Sequence, residues 1–150
     1  MDLIKEKILL LEECKSIIQK RIETAQRELE SYTAQSNEET KSSAGDKYET
    51  TRAMIHLEKE KIATQQNESW KLLKVLDLVK AKPDQSGLGK LIVTDQGKFF
   101  IAVSLGQVQL DKHSYFVISP VAPLGKLLTT VKVNDSIQYN RRDYKILEIG

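Results

Sequence analysis

Two carboxylates, Asp46 and Glu49, stand three residues apart in the stretch Gly45-Asp46-Lys47-Tyr48-Glu49. On the first turn of a helix that spacing puts both on one face, close enough to share an ion. Magnesium prefers oxygen ligands and keeps several of its waters, so one or two carboxylates suffice to hold it without a closed protein cage. The same spacing also reads as a capping box, with Asp46 as N-cap and Glu49 at the third helical position. Glu38 and Glu39, on the other side of the intervening turn, add to an acidic field there or act simply as solvated surface charge.

Other reactive residue types have weaker company. His56 and His113 are far apart and lack an acidic or cysteine companion, which fits surface or packing roles. Ser42 and Ser43 have no neighbouring base and so no nucleophile signature. Lys47 and Tyr48, between the carboxylates, read by default as loop residues exposed to solvent. Cys14 is the only cysteine, which excludes an internal disulfide and a cysteine-pair metal site and suits a reducing, cytoplasmic setting.

The elements that must hold the carboxylate pair are helical. Ile4, Ile8, Leu11, Lys15, Ile18, Ile22, Ala25, Leu29 and Tyr32 alternate by four and three residues, the spacing of a coiled-coil seam that only Lys15 interrupts. The period is lost over Ser36 to Gly45, where Ser, Asn, Thr and Gly predict a turn. A second helical pattern runs from about Asp46 to Lys80, with Ile55, Ile62, Ser69 and Leu76 at seven-residue intervals and Glu58, Gln65 and Gln66 weakening its middle. Two such helices predict an antiparallel hairpin over residues 1–80, roughly 48 Å long, with an acidic tip near residues 36–50. A dimerising coiled coil with a break in it is the alternative.

Lys82-Pro83-Asp84-Gln85-Ser86-Gly87 ends the helical pattern and makes residues 81–88 a linker. Strand patterns follow at Lys90 to Thr94, Lys98 to Ser104, Tyr115 to Ser119, Ser136 to Tyr139 and Tyr144 to Ile149, with a short helix expected from Pro123. Residues 89–150 therefore predict a small antiparallel sheet crossed by one helix, and the whole chain an α+β protein. A sheet domain of this size is marginal alone, so packing through Trp70 or the Leu72 to Val79 stretch is expected.

Composition narrows the function classes. Lys+Arg is 23 against Asp+Glu 21, and the first 80 residues hold 14 basic and 15 acidic side chains against 9 and 6 beyond, so neither part is a polyelectrolyte that binds nucleic acid by charge alone. The N-terminal stretch MDLIKEKILLLEECK has no small-residue cleavage site, and no run approaches the length of a membrane span. A soluble protein is expected.

The chain resembles the Gre-type transcript cleavage factors of bacterial RNA polymerase over nearly its whole length. The residues that carry the resemblance are Ile118-Ser119-Pro120-Val121-Ala122-Pro123-Leu124-Gly125-Lys126-Leu127-Leu128, Lys132-Val133-Asn134-Asp135-Ser136-Ile137, with Asn134 where the family has Gly, and the tip motif Gly45-Asp46-Lys47-Tyr48-Glu49. The resemblance implies a coiled-coil hairpin followed by an FKBP-like domain. It also implies that Asp46 and Glu49 reach the polymerase active centre through its secondary channel. There they would help hold a second Mg²⁺ while the polymerase, the true catalyst, cleaves backtracked RNA.

The implied partners are RNA polymerase and the 3′ end of the nascent RNA, the Mg²⁺ is shared with the polymerase rather than held alone, and the factor is a cytoplasmic monomer without membrane contact. Arg52 stands where the family has a carboxylate, which keeps a non-cleaving secondary-channel regulator or inhibitor as a second reading. A coiled-coil interaction module is the third. A prolyl isomerase is disfavoured, because the sheet half has no pattern for an aromatic-lined pocket and the chain has three Phe.

Overall fold

The computed structural model of the chain describes residues 2–39, 45–80, 82–83 and 85–150, with backbone alone for residues 38, 39 and 45–48. Two long helices, α1 (Leu3–Glu39) and α2 (Gly45–Asp77), precede strands β1 (Leu91–Thr94), β2 (Gly97–Ile101), β3 (Gly106–Leu110) and β4 (His113–Ile118). A short helix, α3 (Pro123–Leu128), then leads to β5 (Ser136–Tyr139) and β6 (Arg142–Ile149). This is the expected α+β arrangement of a helical region followed by a sheet. The chain divides into two compact units, one of Ile17–Leu73 and one of Met1–Ser16 with Lys74–Gly150.

Within the helical unit the expected seam holds from Ile18 onward. Ile18, Ile22 and Ala25 are buried and Leu29 and Tyr32 half-buried, facing Ile55 and Ile62, also buried, and Gln66 and Ser69, half-buried. The helices run antiparallel: the Gln66 amide donates to the Ile22 carbonyl at 3.3 Å and to Gln26 Oε1 at 3.1 Å, whereas Tyr32 lies along a groove with Glu58 and Ile62. α1 continues through Ser36–Glu39, so the turn does not begin at Ser36 as its composition suggests; two glutamates there favour helix. Residues 40–44, where the rest of the predicted turn falls, lie outside the described residues.

The first turns of α1 depart from the expected seam. Ile4 and Ile8 are each 51% exposed, and the buried positions are instead Glu6, Lys7, Leu10 and Cys14. These turns belong to the sheet-containing unit, where the sheet and not the heptad chooses the inward face. Leu3 packs so closely on Gly150 that a Cβ there would lie 2.8 Å from it. Lys98 Nζ donates to Glu6 Oε1 at 3.0 Å, and the seam-breaking Lys15 pairs with Asp77 at 3.2 Å. Of the residues expected to pack, Leu76 in the Leu72 to Val79 stretch is fully buried, whereas Trp70 is 47% exposed.

The sheet has the order β3-β4-β2-β1-β6-β5. Four pairings are antiparallel, but β2 and β4 pair in parallel, Phe99 opposite Phe116, so the sheet is mixed rather than wholly antiparallel. The cause is β3, which sequence patterning does not show: it takes the edge beside β4 and leaves β4 to return alongside β2. Alternation along β2 separates the two faces. Phe99 and Ile101 join Ile92, Tyr144, Ile146, Val131 and Leu128 of α3 in one core, while Lys98 and Phe100 point to the side where Glu6 is bound.

Two local features fix the α3 side. A Cβ on Gly125 would collide with the Ser119 carbonyl oxygen, so only glycine lets α3 approach the preceding turn. Asn134, in the turn before β5, has φ +76, a left-handed conformation that asparagine tolerates better than other non-glycine residues. Among the described residues no helix is long and apolar enough to cross a membrane.

Candidate functional site

Gly45 is already helical, which sets Asp46 within the first turn of α2 instead of ahead of it, and Glu49 one turn further on the same side of the helix. Glu49 is exposed. Below it, Arg52, His56 and Lys59 follow at spacings of three, four and three, which forms a single stripe with Glu49 on the α2 surface. With Ser36 of α1 these four residues line a concavity of about 530 Å³. Contrary to the expectation that it lacks an acidic companion, His56 has its Nε2 3.1 Å from Glu60 Oε1 one turn on; it remains an exposed helix-surface group.

Glu49, with the Arg52 and Lys59 cations further along the stripe, gives the helix two chemistries side by side. The acidic end suits a divalent cation, and the cations suit anionic oxygens such as those of a phosphate. Among the described residues no group of three or more His, Cys, Asp or Glu is gathered around one point.

The remaining sequence candidates are dispersed. Cys14 is fully buried, and burial together with the Glu13 charge pushes its thiol pKa up to about 12, so it is a packing residue and not a nucleophile. His113 is exposed at the start of β4. Ser42 and Ser43 lie outside the described residues, as do the side chains of Glu38, Glu39, Asp46, Lys47 and Tyr48.

Sequence reasoning missed a second concavity, about 460 Å³, in the sheet-containing unit. The expectation that this half lacks an aromatic-lined pocket is wrong: Phe99, Phe116, Tyr139 and Tyr144 line it. Phe99 meets Phe116 at 6.1 Å between ring centres and Tyr144 edge-on at 5.7 Å. These rings come from β2, β4, β5 and β6, and only the parallel β2–β4 pairing brings Phe99 against Phe116. The sole advance signal was that all six aromatics of this half fall in strand patterns.

These features define a class of molecule: an antiparallel pair of long helices whose second member opens with two carboxylates, with a six-stranded mixed sheet following in the chain. No family model, no curated protein and no solved structure matches it.

Proposed function

We propose that this protein is a secondary-channel factor of bacterial RNA polymerase. In this reading the first turn of α2 enters the channel, and Asp46 and Glu49 donate oxygens to a second magnesium ion beside the one the polymerase holds. Bound there, such an ion would supply Lewis-acid activation of a water for cleavage of backtracked RNA; the bond-breaking activity stays with the polymerase and this chain is no enzyme by itself. The factor acts in the cytoplasm, on the nascent RNA 3′ end.

The observation that carries the reading is the carboxylate pair in the first turn of α2, with Glu49 exposed and an antiparallel helix alongside. A capping role alone gives no reason for the adjoining stripe of Arg52, His56 and Lys59. The stripe does have a use next to a phosphodiester, whose oxygens it attracts.

The test is a stalled, backtracked elongation complex supplied with the protein and Mg²⁺. Short 3′ RNA fragments are expected with the native chain and a loss of at least about a hundredfold in their rate with Asp46→Ala, Glu49→Ala, the scale of removing a charge-stabilising group from an active centre. Equal release by both proteins would sink the assignment. Arg52 favours one further reading, since a cation beside the pair opposes metal recruitment: a channel occupant that slows nucleotide addition without releasing fragments. Slowed addition with no cleavage, reversed by Arg52→Glu, would select that reading.

A further inference from the structure

We infer that the aromatic concavity of the sheet-containing unit is a binding site for a nucleotide, taken either free or as one unit of single-stranded RNA. The inference is independent of the polymerase reading, because it uses no residue of α1 or α2. Phe116 is 47% exposed although it sits on an interior strand of the sheet, and the rings behind it, Phe99 and Tyr144, are buried. An exposed ring braced from behind is a stacking platform, and every nucleobase has a face to lay on it.

The polar groups around the platform match the rest of a nucleotide. Gln96, in the β1–β2 turn, and Asn140, in the β5–β6 turn, are exposed on the rim, and their amides can read the hydrogen-bonding edge of a base. Arg142, which pairs with Tyr139 across β5 and β6, brings a planar guanidinium suited to a phosphate. No side-chain hydrogen bond or ion pair within the described residues occupies these three groups, and no carboxylate lines the concavity to repel a phosphate.

The rim is also fixed in place. Asn140 and Arg141 both have positive φ, 51° and 63°, the geometry of a tight two-residue hairpin turn, so Asn140 and Arg142 are held by the backbone before any ligand arrives. A volume of about 460 Å³ falls within the usual range of small-ligand pockets.

The test uses the full chain, labelled with ¹⁵N and titrated separately with adenosine, AMP and a short adenine homopolymer RNA, amide shifts being read by NMR. Shifts confined to the surroundings of Phe116, Tyr139 and Arg142 are expected. Shifts with AMP identify a free nucleotide as sufficient, and shifts with the RNA alone identify the polymer as the source. Phe116→Ala is expected to weaken binding about tenfold for every ligand. Arg142→Gln, on the exposed rim where folding is indifferent to it, is expected to weaken AMP by a similar factor and leave adenosine unchanged. Two results would overturn the inference: no shifts in the concavity with any of these ligands, or undiminished binding by both variants.

Discussion

At the residue scale the most constrained charges lie far in sequence from the proposed magnesium ligands. Glu6 is 3% exposed, and both its oxygens accept from Lys98 Nζ, at 3.0 and 3.4 Å. Tyr115 lies beside this pair, its ring centre 5.5 Å from Lys98 Nζ; burial foremost, then the Glu6 charge, raises the tyrosine pKa. A buried ion pair adds little net stability, but removing one partner strands the other, which costs about 3–5 kcal/mol. Lys98→Met is expected at the low end, about 3 kcal/mol in urea unfolding, because Lys98 is partly exposed. Glu6→Gln with Lys98→Met should recover most of that loss, and a double variant no better than the single one would refute the pairing argument.

Cys14 allows a pH prediction with a defined sign. Its folded-state pKa of about 12 lies above that of an unfolded thiol, about 8.5, so the folded chain keeps the proton longer. Stability from this group is intact below about pH 8.5 and is lost as pH rises toward 12, by about 1.4 kcal/mol per unit. Lys7, whose pKa burial lowers, works the other way in the alkaline range. Comparison of the native chain with Cys14→Ala between pH 8.5 and 10.5 isolates the thiol: the native protein should lose stability faster with pH, and parallel curves would contradict the burial argument.

At the scale of elements, how much was legible depended on whether a segment's partners were local. Both long helices and α3 follow from spacing, Pro123 and the breaks between them, because helical contacts repeat within a few residues. β3 was missed although Gln107-Val108-Gln109-Leu110 alternates polar and apolar residues, because so short a run beside Gly106 reads equally as a turn until its pairing with β4 is seen. The first α1 turns misled for a related reason: Ile4 and Ile8 continue the heptad faultlessly, yet the sheet recruits the face bearing Glu6, Lys7, Leu10 and Cys14. The carboxylate pair could be read directly because its two members are neighbours in sequence, whereas the aromatic concavity needed the strand order. Where the heptad does decide, Ile62 is the residue to test. It is buried against α1 in a stretch otherwise weakened by Gln65 and Gln66, and Ile62→Ala should cost about 2–4 kcal/mol. Trp70, the one tryptophan, lies in the same unit and reports its unfolding by fluorescence; an unchanged urea midpoint would mean the seam contributes nothing there.

At the scale of the whole molecule the balance of charge limits how a polynucleotide can be engaged. A net charge of +2, from 23 basic and 21 acidic side chains, gives little net attraction for phosphates. A protein that neutralises six to ten phosphates loses about 10³–10⁵ in affinity between 50 and 200 mM salt, because each contact releases counterions. Here the candidate phosphate contacts are few: the Arg52, His56 and Lys59 stripe on α2, and Arg142 beside the aromatic platform. With a slope of about −0.7 per phosphate on a single strand, one contact at Arg142 predicts a loss of only about threefold over that salt range. Fluorescence anisotropy with a short labelled RNA measures this directly. The expected result is weak binding with a shallow salt dependence that becomes flatter still in Arg142→Gln and remains unchanged in Lys59→Gln. A steep dependence that both variants reduce equally would mean diffuse attraction, and neither the nucleotide site nor the assignment of separate tasks to the two units would survive it.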